Sequence, residues 1–243
     1  MTMKRVIFIR AKRDNARLDR KHLMDVGGKP LIAHVIEHAI QSNAHAMFLS
    51  TNCREILALG KEYPELNCIE RPESLCNDDG DPQHTIWAID DFHWTTWKNL
   101  AGSSDPIGYC TVYGNTLCFD KSAIDRAFDL FERHPTEVVH TGYIAGNHEH
   151  PYDAYIENDR GVYRRMMDRQ PLMLCNDWPA VVMNNSICTI IKAPYNKGPR
   201  DTSRNSFRYC LTGRFDSVHI DDRHDHQLAC GLWEVHRHQE VRA

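Results

Sequence analysis

Nine cations fall between Lys4 and Lys29, namely Lys4, Arg5, Arg10, Lys12, Arg13, Arg17, Arg20, Lys21 and Lys29. The whole chain of 243 residues has a formal net charge of −4. The local excess therefore gives no general pull on nucleic acid and calls instead for a small anionic ligand. Its densest part, Arg10 to Leu23, directly follows the apolar run Val6 to Ile9. Read as a strand, that run delivers the cations at its carboxyl end, where open α/β sheets bind their ligands. Cations there would stabilise charge on a triphosphate as pyrophosphate departs. No Gly-rich cradle of the Walker type accompanies them, and charge alone describes a solvated basic loop equally well.

Other reactive residues point less clearly. Fifteen histidines include His148-Glu149-His150, the run from His219 to His226, and His236-x-His238. None has the H-E-x-x-H or Cys/His spacing of a zinc site, so they read as surface residues. Nine cysteines, an odd number without a C-x-x-C pair, match neither a disulfide framework nor a zinc ribbon and suit a reducing cytoplasm. Trp87, Trp94, Trp97, Trp178 and Trp233 do not cluster with positive charge and read as packing and interface residues. With 42% hydrophobic and 26% charged residues, the composition excludes disorder and a membrane protein. No apolar run approaches the roughly 18 residues of a spanning helix. The first residues read as a strand and not as a signal peptide.

The elements that must position these residues alternate between strand-like runs and helix-period segments, the pattern of a mostly parallel sheet covered by helices. Strands are expected at Val6 to Ile9, Ala46 to Leu49, Asn67 to Ile69, Ile107 to Val112, Val138 to Tyr143 and Val181 to Ile191. After Gly27-Gly28-Lys29-Pro30, the stripe Leu31, Ile32, Val35, Ile36, Ala39, Ile40 predicts a helix with Pro near its first turn. Further helices are expected at Arg54 to Gly60, Gln83 to Phe92, through Ile124 to Phe131, and at Leu228 to Val235. Residues 1–243 read as one domain. Its period is lost over approximately 145–180, an inserted arm that shapes a substrate pocket or a dimer contact. Lys192 to Asn205 reads as a basic loop.

Ile9 to Pro30 resembles the opening of the CMP-sialic acid and CMP-KDO synthetases, the acylneuraminate cytidylyltransferase type. Their pattern is I-P-A-R-x-x-S-x-R-L-P-x-K-N-L followed by G-G-K-P-L-I. Ala11, Arg17, Leu18, Lys21 and Leu23 match, while Lys12 replaces the Arg, Asn15 the Ser and His22 the Asn. Further matches follow in order. Ser50-Thr51-Asn52 stands for S-T-D, Arg71-Pro72-x-x-Leu75-x-x-Asp78 for R-P-x-x-L-x-x-D, and Ile220-Asp221-x-x-x-Asp225-x-x-Leu228-Ala229 for I-D-x-x-x-D-x-x-L-A. Arg169-Gln170 and Val182-Met183-Asn184-Asn185 are similar to R-Q and Y-V-x-N-G.

The resemblance implies an α/β, Rossmann-like, mostly parallel sheet flanked by helices, of the nucleotide-diphospho-sugar transferase type. It implies transfer of CMP from CTP to an acidic sugar with Mg²⁺ present, in a cytoplasmic homodimer joined through the arm. Lys12, Arg17 and Lys21 would serve the phosphates as catalytic cations. Ala11, Asn15, His22, Arg71 and Asp78 would bind the nucleotide. Asn115, Arg165, Arg169, Gln170 and Asn184 would bind the acceptor, and Asp221 and Asp225 the metal. Two departures bear on chemistry. His219-Ile220-Asp221 stands where the family often has D-I-D, and Tyr113 to Phe119 lacks the Gln and Arg of Q-P-T-S-P-L-R. The acceptor is therefore open between a sialic-type acid, KDO, a related acid and a phosphonate. A catalytically silent nucleotide binder remains an alternative, as does a glycosyltransferase using Asp79-Gly80-Asp81.

Overall fold

The computed structural model describes residues 3–14, 17–76, 82–135, 138–167, 174–194 and 207–240. Strand β1 (Lys4–Arg10) holds Val6, Ile7, Phe8 and Ile9 fully buried on both faces, as an unbroken apolar run demands of a central parallel strand. A short turn pairs β2 (Asp25–Val26) with β3 (Lys29–Pro30) before helix α1 (Leu31–Ile40). Then follow β4 (Ala46–Thr51), α2 (Arg54–Gly60), β5 (Leu66–Glu70) and α3 (Pro82–Ala101). The chain continues through β6 (Ile107–Tyr113), β7 (Thr116–Cys118), α4 (Ala123–Arg133) and β8 (Val138–Ile144). A small hairpin of β9 (Tyr155–Glu157) and β10 (Tyr163–Arg165) precedes the long β11 (Val182–Ala193). Strands β12 (Phe207–Leu211) and β13 (Ser217–His219) lead to α5 (Arg223–Glu240).

The main sheet has seven strands in the order β12-β8-β11-β6-β1-β4-β5. Six run parallel, and β11 runs against β6 and β8 on either side. The order reverses at β1, with β4 and β5 on one side and β6 on the other. That reversal is the switch point where open sheets leave a crevice.

Both faces are covered. Ile7 and Ile9 pack with Ile32, Val35 and Ile36 of α1 and with Ala127, Phe128 and Phe131 of α4. On the opposite face Val6, Phe8 and Phe48 meet Trp97 of α3 and Tyr109. The sequence predicts α3 only to Phe92. It continues to Ala101 because Trp94, Trp97 and Ala101 cover this second face, and a mixed, half-polar stripe hides that role. A third, smaller cluster joins Val26 and Leu31 to Leu117, Val218, Ile220 and Ala229, so α5 docks on the turn that follows the basic loop. Helix α5 also begins earlier than its apolar stripe. Asp222 Oδ1 accepts from His224 N at 2.7 Å and Asp225 N at 3.0 Å, an N-cap that starts the helix at Arg223.

Candidate active site

Strands β1, β4, β5 and β6 end at one edge of the sheet, and their last residues tie the loops above it together. Ala11 N donates to Ser50 O (3.1 Å), Arg71 N to Thr51 O (2.9 Å) and Gly114 N to Arg10 O (2.9 Å). Arg71 is buried, and its Nη2 reaches Ala11 O at 3.3 Å. Gly114 permits this closeness, since a Cβ there would stand 2.7 Å from Arg10 O. Arg13 N donates to Asn52 Oδ1 (2.8 Å), and Asn52 Nδ2 to Glu73 Oε2 (2.9 Å). Between these loops lies a cavity of about 580 Å³, lined among others by Lys12, Arg13, Arg20, His22 and Asn52. Its size suits a nucleotide-sized ligand.

Beside it, a second group converges from both ends of the chain. Lys21 Nζ lies 2.7 Å from Asp221 Oδ1, and Arg17 Nη1 lies 3.7 Å from Asp221 Oδ2. Partial burial raises the Asp221 carboxyl, but the Lys21 hydrogen bond and charge, with His219 and Arg17, outweigh it and hold the group below its ordinary range. Asn115 braces the pair. Its Nδ2 donates to Ile220 O (2.9 Å) and approaches Asp221 Oδ1 (3.2 Å), while its backbone carbonyl accepts from Ile220 N (2.8 Å). His219, at the end of β13, lies opposite Thr116 of β7. Its Nε2 stands 3.7 Å from Asp221 Oδ2, and burial lowers its pKa.

The structure thus brings together Lys21, Arg17, Asn115 and Asp221, with Lys12, Ala11, His22 and Arg71 on the adjoining loops. His22 is almost wholly buried. Burial pushes its pKa down to about 4, despite a hydrogen bond to the Gly114 backbone. It lines the cavity from a buried position. Asp225 supports Asp221 through the backbone, its Oδ2 accepting from Asp221 N (2.9 Å) and Asp222 N (3.1 Å). Arg165 turns back on the segment around its own hairpin, donating to Tyr152 O at 2.6 Å and lying over the Tyr155 ring. Asn184 Oδ1 accepts from Ser186 N at 2.8 Å and shapes a bulge in β11. Asn15, Asp78, Arg169 and Gln170 lie outside the described residues, as does Asp79-Gly80-Asp81.

Several cations of the basic run serve the fold. Arg5 binds Asp129 and Glu132 of α4, and Lys29 pairs with Glu37. Arg10 turns inward, pairs with Asp90 of α3 and donates to the Tyr109 hydroxyl at 2.6 Å. Tyr109 donates to Asp90 Oδ1 (2.9 Å). His93 Nδ1 meets the same hydroxyl, and its Nε2 meets Ser50 Oγ, each at 2.7 Å. Phe8 stacks on His93 with ring centroids 4.3 Å apart. This buried network underpins the edge on which the basic loop stands. Its signal in the sequence was Asp90 and His93, three apart on one helical face.

The sheet order, its one reversed strand and a site at the switch point define a nucleotide-diphospho-sugar transferase fold. A solved structure of CMP:2-keto-3-deoxy-manno-octonic acid synthetase complexed with CTP shares it, with a TM-score of 0.62 and 14% identity over 99% of this chain and 100% of that one. So does a putative glucose-1-phosphate thymidylyltransferase from Bacillus anthracis, with a TM-score of 0.58 and 11% identity over 95% of each chain. Residues 6–158 match the profile of the cytidylyltransferases, and the chain belongs to that family.

Among its relatives is the 3-deoxy-manno-octulosonate cytidylyltransferase of Polynucleobacter asymbioticus, 39% identical over 64 residues, 26% of this chain and 25% of the relative. That of Coxiella burnetii is 35% identical over 63 residues, with the same shares. These matches span about a quarter of the relatives' length. Among the described residues, no helix is long and apolar enough to cross a membrane.

Proposed function

We propose that the protein transfers CMP from CTP to a hydroxyl of a small acidic sugar of KDO or sialic acid type, releasing pyrophosphate. The observation that carries this reading is the meeting of Lys21, Arg17 and Asp221 beside the basic loop at the switch point, in a chain of the cytidylyltransferase family. The acceptor oxygen forms a bond to the α-phosphorus of CTP as the bond from that phosphorus to the pyrophosphate oxygen breaks. Lys12, Arg17 and Lys21 face the charge that gathers on the leaving group. The Ala11 backbone and the buried Arg71 frame the nucleotide end.

The family resemblance implies Mg²⁺, and the donor set fits a divalent cation. Asp221 is a partly exposed carboxylate held ionised at the site, and such ions take one or two protein carboxylates with the rest from phosphate and water. When bound, the ion neutralises charge on the phosphates. Asp225 and Asn115 hold Asp221 in place for it.

The test is pyrophosphate release with each of the four nucleoside triphosphates, a divalent cation, and a panel of KDO, sialic-type acids and phosphonates. Release that needs CTP together with one sugar acid is the expected result. Tight CTP binding without release would mean a silent binder, and release with a phosphonate alone would replace the acceptor class. Replacing Lys21 by Met should cut kcat about 10²- to 10³-fold. Its pair with a partly exposed Asp221 contributes little stability, on the order of 1 kcal/mol or less, so the variant should stay folded.

A further inference from the structure

His219 stands where the cytidylyltransferases most similar in sequence pattern often carry an aspartate, and its surroundings assign its proton. Thr116 Oγ1 donates its only hydrogen to Ser186 O at 2.9 Å. Its contact with His219 Nδ1 at 2.7 Å therefore requires the imidazole to donate from Nδ1, which leaves Nε2 with a lone pair. That lone pair faces Asn115 Nδ2 at 3.1 Å and Asp221 Oδ2 at 3.7 Å. One of the two Asn115 amide hydrogens goes to Ile220 O, at 2.9 Å. The other is divided between His219 Nε2 and Asp221 Oδ1. Asp221 Oδ1 already accepts from Lys21 Nζ at 2.7 Å, so the divided amide hydrogen is a weak partner chiefly for His219 Nε2, whose lone pair can take a cation held with Asp221 Oδ2 3.7 Å away.

Resting on the nucleotidyl-transfer reading, we propose that His219 Nε2 and Asp221 form a mixed nitrogen and oxygen grip that binds a first-row transition-metal ion, such as Mn²⁺ or Co²⁺, in preference to Mg²⁺. The two donor atoms are 3.7 Å apart, within reach of a single ion whose bonds are about 2.0–2.2 Å. An imidazole ligand raises the affinity of a site for first-row ions, more for Co²⁺ than for Mn²⁺, whereas Mg²⁺ prefers oxygen alone. Among the described residues, no three His, Cys, Asp or Glu side chains gather to hold a metal. The two donors therefore leave the remaining positions to the triphosphate and water. Arriving phosphates also draw Lys21 and Arg17 away from Asp221, which frees its carboxylate for the ion.

The test is Mn²⁺ binding read by electron paramagnetic resonance, alone and with CTP, with Mg²⁺ as competitor. Nitrogen modulation in the spin echo of Mn²⁺ bound to the unaltered protein is expected, and its absence would overturn the proposal. His219→Asp should lose that modulation and lower the preference for Mn²⁺ over Mg²⁺ by on the order of 10-fold or more. An unchanged preference would also refute it. CTP binding by equilibrium dialysis, run in parallel with each ion and with chelator, separates the two levels. No CTP bound under any condition condemns the nucleotide reading, whereas CTP bound beside an all-oxygen metal condemns only the role of His219.

Discussion

Replacing Asp90 by Leu removes the counter-charge from a guanidinium that cannot return to water without pulling the end of β1 out of the sheet. The Asp90 side chain is 1% exposed and that of Arg10 is 13% exposed. The Tyr109 hydroxyl also loses the acceptor it reaches at 2.9 Å. Breaking one side of a buried pair costs about 3–5 kcal/mol, because the other charge stays buried without compensation. For a chain of this length each kcal/mol lowers Tm by about 2–4 °C, so the variant should melt about 6–20 °C lower. Adding Arg10→Met to Asp90→Leu removes the stranded charge and should recover at least about 2 kcal/mol, since apolar replacement of a whole buried pair is often nearly neutral. Urea denaturation followed by circular dichroism gives both values. A cost below about 1 kcal/mol for Asp90→Leu, or a double variant no more stable than the single one, would show that Arg10 and Asp90 do not act as a buried pair.

His22 should make folding sensitive to acid. Its pKa in the folded chain, about 4, lies below the ordinary 6.5, so as pH falls the unfolded chain binds the proton first. Stability attributable to it is complete above about pH 6.5 and is lost as pH falls toward 4, by up to about 3 kcal/mol. His22→Asn should flatten the stability profile in that window by about one proton, and an unchanged slope in urea titrations at stepped pH would remove His22 as its source. Gly27 and Gly28 should respond differently to alanine. Both have positive φ, +62° and +95°, but a Cβ at Gly27 would fall 1.8 Å from Trp233 Nε1, whereas nothing lies near one at Gly28. Gly28→Ala should cost about 1–2 kcal/mol of backbone strain. Gly27→Ala should cost about 1–3 kcal/mol more and shift the tryptophan emission. Equal losses at the two positions would contradict the docking of α5 on this turn.

The parallel strands were legible because their residues are buried on both sides and read as continuous apolar runs. The direction of β11 was not, since a strand-like run such as Val181 to Ile191 carries no arrow, and only its partners β6 and β8 reveal it. Strands β7 and β13 are three residues each, too short to show a period. In the site, Lys21 is legible in the basic run and Asp221 only through the family resemblance, while their contact across 200 positions is not legible. In the sequence Arg10 counts with the ligand-facing cations, because composition gives charge without showing where it points. The structure turns it inward because an even-numbered residue of β1 shares the face of Val6 and Phe8, toward α3.

The contact of Lys21 with Asp221 also sets an order of events during synthesis. Every strand of the main sheet has been made by Leu211, yet the basic loop still lacks its carboxylate. The turn after it also lacks Trp233, which rests against His34 with ring centroids 4.3 Å apart. A nascent chain can therefore complete its scaffold, and the cavity lined by residues of its first third, before Lys21 and Arg17 meet the carboxylate that pairs with them.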